Sequence, residues 1–213
     1  MNSFQELVQS IDWGSLTDAL LRVLGVFLCL TVHETCHGLA AYALGDPTAK
    51  REHRLSLNPL HHIDWFGLAA MLLVGFGWAK PVPINPRYFR NPLKAMTITA
   101  AAGPLSNLLQ MIFWALLLKA LAAVGFYDKF VISVCAAGIS VNLMLMAFNL
   151  IPIPPLDGGR IVRGLLPRQA GMAFDKIEPY GFMILLVLMV GGGLSFFVRP
   201  FLMFGQWIIN LVL

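Results

Sequence analysis

Long apolar runs divided by short polar breaks set the pattern of this chain. The first, from about Ser15 to Leu44, stops at Gly45-Asp46-Pro47, a helix-ending sequence. A second runs from Pro92 to about Val124, with proline at the first helical position, where its missing N–H costs nothing. The tight connection Gly125 to Lys129 leads to a third, about Phe130 to Leu150. Two more, about Ile177 to Val198 and Pro200 to Leu213, are divided at Arg199-Pro200. Several of these reach or approach the ~18 residues that mark a membrane-spanning helix.

Residues 55–92 break the rule. Their only apolar stretch, about Ile63 to Phe76, is short and interrupted by Gly67 and Gly75. Trp78-Ala-Lys-Pro-Val-Pro-Ile-Asn-Pro86 carries three prolines, which exclude regular helix. A hairpin or re-entrant element beside the first helix is expected here, with Trp78 to Pro86 either an extended edge strand able to hold a peptide by strand addition or only a stiff loop. Met1 to about Gly14 is mildly amphipathic and suits the membrane surface. The pattern therefore predicts an all-α polytopic membrane protein of about five to six transmembrane helices, with a short β-hairpin or re-entrant element after the first. It forms a single membrane-embedded domain over 1–213, with its core at about 15–165 and C-terminal helices at about 177–213.

Composition agrees: 58% of the 213 residues are hydrophobic and 12% charged, against roughly 25% charged in a soluble domain. The net charge of +4 does not point to nucleic acid, because the basic residues sit in short segments beside apolar runs. Lys50-Arg-Glu-His-Arg54 follows the first run, and Arg160, Arg163, Arg168 and Lys176 follow the third, which assigns both ends to the cytoplasmic side of the cell (inner) membrane. Cys29, Cys36 and Cys135 lie in apolar runs and are odd in number, so they make no disulfide framework. The acidic first fourteen residues do not match a cleavable signal peptide.

The chemistry is concentrated in His33-Glu34-Thr35-Cys36-His37, inside the first run. At 100° per residue the two imidazoles stand about 40° and one turn apart, within reach of one ion. Zn²⁺ takes two of its protein ligands in this way, and Glu34 is placed to take a proton from the attacking water. A carboxylate at the centre of a membrane helix costs roughly 2.5–3.5 kcal/mol on insertion scales, so its presence needs a reason. A polar trio making interhelical hydrogen bonds is the bland alternative. His37 stands eight residues before Gly45, about 12 Å of helix, so the site is buried but nearer the cytoplasmic face. A catalytic zinc needs a third ligand. Candidates are Asp157, Asp46, the His53/His61/His62 group, Asp64 and Glu178. Topology favours Asp157, which stands on a structured break where Pro152, Pro154 and Pro155 end a helix and Gly158-Gly159 release the backbone. Gly103 and Asn107 share a face of the second run, and Asn142 and Asn149 share one on the third.

Together these residues resemble the site-2 protease family of intramembrane zinc metalloproteases. The resemblance is carried by His33-Glu34-Thr-Cys-His37, Gly103-x-x-x-Asn107 and Asn149-x-x-Pro152-x-Pro154-x-Leu156-Asp157-Gly158. Ser56-Leu-Asn58-Pro59, His62-Ile-Asp64 and Gly77-Trp-Ala-Lys-Pro-Val-Pro83 look like its compact bacterial branch, without PDZ or CBS domains. Trp65 departs from the proline frequent at that place. The resemblance implies a three-helix core, one zinc ion held by His33, His37 and Asp157, and Glu34 as catalytic base. It also implies that Asn107 orients substrate or stabilises the oxyanion, and that the enzyme cleaves a transmembrane protein within the lipid bilayer, near the cytoplasmic side. Two other readings are a divalent-metal transporter, because intramembrane His and carboxylate groups also line ion paths, and an inactive relative that binds helices without cutting them.

Overall fold

A computed structural model describes residues 16–74 and 77–213. The surface-lying segment expected before Gly14 falls outside them. The helices are α1 Leu16–Ala43, α2 Trp65–Val74, α3 Pro92–Ala123, α4 Lys129–Asn149, α5 Asp157–Leu165, α6 Arg168–Asp175, α7 Gly181–Val190 and α8 Leu194–Val212, with one-turn helices at Thr48–Arg51, Pro59–His62, Pro86–Tyr88 and Glu178–Tyr180. Val23–Ala43, Pro92–Ala123, Lys129–Asn149 and Leu194–Val212 are long and apolar enough to cross a membrane. That is four candidate spans among the described residues, fewer than the five to six expected. The shortfall lies at the C-terminal end, where α7 has ten residues, about 15 Å of helix against ~30 Å of hydrocarbon. The turn before α8 also falls at Gly191-Gly-Gly193, not at Arg199-Pro200. Gly192 takes φ +72°, open to a residue without Cβ, while Pro200 is carried inside α8.

The β-hairpin is a second difference: no strand occurs among the described residues. Residues 77–85 form neither helix nor strand. Prolines at 81 and 83 leave no N–H there, and the N–H groups of Lys80, Val82 and Asn85 bond elsewhere. Lys80 N donates to the His62 carbonyl at 2.8 Å, Val82 N to Glu34 Oε2 at 2.9 Å and Asn85 N to Asp46 Oδ2 at 2.7 Å. The segment returns closely along α2, where a Cβ on Gly67 would run into the Trp78 main chain.

α3 and α4 start on side-chain caps: Asn91 Oδ1 accepts from Lys94 N at 3.2 Å, and Asp128 Oδ1 from Val131 N at 3.0 Å. Between them lies the apolar core of Met111, Ala115, Ile139, Leu143 and Met146, closed by Ile209 of α8. Gly138 lets the Trp114 ring lie against α4, since a Cβ there would come within 2.6 Å of it. The opposite face of α3 exposes Leu105, Leu109, Phe113 and Leu116, as a lipid-facing surface does. α1 packs along the inner face of α3, and α5 folds back onto it.

Candidate metal centre

One face of α1 and the first residue of α5 make the centre. His33, His37 and Asp157 are buried, at 3%, 7% and 7% exposure. The imidazole rings stand edge to face with centroids 4.6 Å apart, and their Nε2 atoms are 3.0 Å from each other. Asp157 Oδ2 lies 3.2 Å from His33 Nε2 and 3.3 Å from His37 Nε2. The break after α4 delivers this carboxylate. Gly158 and Gly159 let the start of α5 press against the carbonyls of Leu150 and Ile151 and the backbone of Ile153 and Pro154, where any Cβ would collide.

α3 supports the rings from behind. His37 donates its Nδ1–H to the Thr99 carbonyl at 2.7 Å, and His33 donates its Nδ1–H to Asn107 Oδ1 at 2.6 Å. Thr99, Gly103 and Asn107 follow at intervals of four and share one face of α3. Gly103 is the gap through which the rings approach: a Cβ there would run into both imidazoles.

The donor set fits a metal ion. A carbonyl only accepts, so the proton of neutral His37 sits on Nδ1 and its Nε2 offers a lone pair. The same follows for His33. Two lone pairs and a carboxylate oxygen, all within 4.8 Å of one another, face a common point. Asp157 Oδ2 has no hydrogen-bond donor, so a shared cation is what such a set lacks. Two imidazole nitrogens and one carboxylate oxygen suit zinc and leave a fourth position open.

Glu34 stands beside this set, half-buried, its Oε2 accepting from Val82 N at 2.9 Å. The remaining candidates stand outside the converging set. Asp46 is fully buried; its Oδ1 accepts from Thr48 N at 2.9 Å and its Oδ2 from Asn85 N. Asp64 caps α2 through Phe66 N and Gly67 N at 2.9 and 3.0 Å. His61 is exposed against the His53 carbonyl, and Glu178 is exposed. His62 is fully buried and donates Nε2–H to the Ser56 carbonyl at 2.9 Å, which also receives the Thr35 hydroxyl at 2.9 Å. Asn149 donates within its own helix, to the Leu145 carbonyl at 3.0 Å. Cys36 is half-buried and not among the converging donors. Asn107 Oδ1 accepts from His33 Nδ1, on the side of the ring away from Nε2. Two contributions carry no side-chain signal at all: the Thr99 carbonyl and the Val82 N–H.

Residues 121–192 match the family described as Peptidase family M50, a stretch that includes Asp157 but not the paired histidines. The chain is 39% identical over 193 residues to the "Putative zinc metalloprotease YwhC" of Bacillus subtilis, covering 86% of each protein. It is 26% identical over 185 residues to the "Putative zinc metalloprotease Rip2" of Mycolicibacterium smegmatis, covering 83% of this chain and 69% of that one. With "Putative zinc metalloprotease Rip3" of Mycobacterium tuberculosis it shares 38% identity over 121 residues, 54% of this chain and 30% of the other. No solved structure gives a significant match.

Proposed function

Since this chain belongs to peptidase family M50, we propose that it is a zinc metalloendopeptidase that hydrolyses peptide bonds of transmembrane substrate helices near the cytoplasmic side of the membrane. The observation that carries the reading is the convergence of His33 Nε2, His37 Nε2 and an undonated Asp157 oxygen at one buried point. These three would hold one zinc ion. When bound, zinc supplies a Lewis acid that brings the pKa of water down to about 7 and polarises a carbonyl.

The chain's own residues do the rest. Glu34 takes the proton of the attacking water and passes it to the leaving amine, with Oε2 steadied by the Val82 N–H. His33 and His37 keep their Nδ1 protons on Asn107 and Thr99, so their ligand nitrogens stay unprotonated. Asn107 acts through His33, as a positioning residue. Burial excludes bulk water from a site on α1, itself a candidate span, and this favours a substrate that is also in the bilayer. Such a helix must unwind before its carbonyls are exposed. Arg51, Arg160, Arg163 and Arg168 flank the adjoining helix ends and favour a cytoplasmic opening. Regulated intramembrane proteolysis and turnover of membrane proteins or signal peptides are the roles such an activity serves.

Glu34→Gln is the test, with purified protein assayed for zinc content and for cleavage of a transmembrane peptide. Retained zinc with cleavage down by about 10²-fold or more is expected, in line with loss of a general base. Undiminished cleavage would remove Glu34 from the chemistry.

A further inference from the structure

We infer that Asn142 is a positioning residue for the metal centre: through Asn107 it forms a one-way amide relay that fixes which ring nitrogen His33 offers to the ion. The inference rests on the metal reading of His33, His37 and Asp157. It concerns two side chains on α3 and α4, both fully buried.

The direction of the relay follows from an atom that cannot change role. Asn142 Nδ2 lies 2.8 Å from the Gly138 carbonyl, which only accepts, so this edge of the amide has to be NH₂. The same nitrogen lies 3.3 Å from Cys29 Sγ. The oxygen edge of Asn142 then faces α3, where it accepts from Asn107 Nδ2 at 2.9 Å. That bond in turn points Asn107 Oδ1 at His33 Nδ1, 2.6 Å away. An oxygen at that distance requires a proton on Nδ1. The lone pair of neutral His33 is left on Nε2, the atom facing Asp157. Every link is set by the one before it, from a helix carbonyl on α4 to a ligand atom on α1.

The two histidines thus reach the same tautomer by different routes. His37 is set in one step by a main-chain carbonyl, and no substitution at Thr99 removes it. His33 depends on an amide, which can rotate by 180°. Without the Asn142 oxygen, Asn107 is released to turn its NH₂ toward Nδ1. His33 then carries its proton on Nε2 and no longer offers a lone pair to the metal.

Asn142→Leu, with the same number and branching of side-chain heavy atoms but without the acceptor, tests this in the purified full chain. Partners of this kind change metal affinity by about 10–100-fold. A fall of about 10-fold in zinc affinity, measured by chelator competition, is expected. In metal-free protein with ¹⁵N-labelled histidine, His33 Nδ1 should carry a proton in every molecule of the parent and in only part of the molecules of the variant. Adding Asn107→Asp to Asn142→Leu should restore both, because a carboxylate presents an acceptor whichever way it turns. A purely structural role for Asn142 gives no reason for a buried charge to rescue it. Should Asn142→Leu not fold, Asn142→Ser carries the same measurements. A folded variant with unaltered zinc affinity and His33 tautomer overturns the relay, and so does a loss that Asn107→Asp leaves unrepaired. If the parent chain binds no zinc, the metal reading fails; the ring-nitrogen signals of metal-free protein still decide the relay.

Discussion

The body from α1 to α5 and the C-terminal pair α7 and α8 are both packed helices, yet they bury different things. Every buried polar or charged side chain among the described residues falls between Thr31 and Asp157. α7 and α8 bury Gly181, Val198, Gly205 and Ile209, none with a polar side chain, and expose Phe182, Val187, Phe196 and Trp207 outward. A polar group in an apolar medium is costly unless bonded. The first region meets that cost with specific bonds: Thr31 to the Phe27 carbonyl at 2.7 Å, Thr35 to Ser56, Asn142 to Gly138. The second has no such buried cost to meet and holds chiefly by close packing, with one exposed bond from Lys119 Nζ of α3 to the Val212 carbonyl at 2.6 Å. Buried polarity therefore marks where the chemistry is, and the C-terminal pair steadies it by packing Ile209 and Gly205 against α4 beside Leu143 and Met146.

The largest difference between the regions should appear at single small residues. Gly103→Ala drives a methyl into both imidazoles, and the rings cannot retreat without leaving Thr99 and Asn107. Zinc affinity should fall by more than about 10-fold, read by chelator competition, with cleavage lost alongside. Ile209→Ala is the counterpart in the packing region. Removing those carbons leaves a cavity between α8, α3 and α4 and should cost about 2 kcal/mol or more of stability, read from unfolding in detergent, with zinc affinity unchanged. Loss of zinc from Ile209→Ala as severe as from Gly103→Ala would dissolve the division of labour.

Much of the body was legible because its signals are side chains at helical spacing. His33 and His37 one turn apart, and Asp157 at a break of prolines and glycines, are patterns that survive in a sequence, and the fold brings the three together. Three kinds of feature were not legible. Main-chain groups such as the Thr99 carbonyl and Val82 N–H leave no mark on residue identity. Prolines at 81, 83 and 86 exclude helix but say nothing about whether an extended segment finds a strand to pair with, and this one bonds to Glu34, His62 and Asp46 instead. Proline is also an unreliable stop within an apolar helix. Pro104 and Pro200 both lie inside long helices, while the real turn was made by Gly191-Gly-Gly193. Asn142 was visible as a polar residue on an apolar face, but its partner on α3 is a matter of packing between helices.

The smallest expected effect separates the regions by pH. His62 is fully buried between the Ser56 carbonyl and the returning segment, whose Lys80 N it accepts through its own carbonyl. Burial pushes its pKa below the ordinary 6.5; the charges of Arg54 and His61 push the same way, and the Ser56 carbonyl and Glu34 only partly oppose them. The unfolded chain therefore binds a proton here before the folded one does. Stability from this group is complete above about pH 6.5 and declines as pH falls from there through the lower folded value. His62→Gln keeps an N–H for the Ser56 carbonyl and removes the titration. Melting midpoints from about pH 7.5 to about 5 should fall less steeply for this variant than for the parent, the gap opening only on the acid side. Ile209→Ala, with no buried titratable group near it on α8, should displace the whole curve by a constant amount. Parallel curves for both variants would show that His62 is not held neutral by burial.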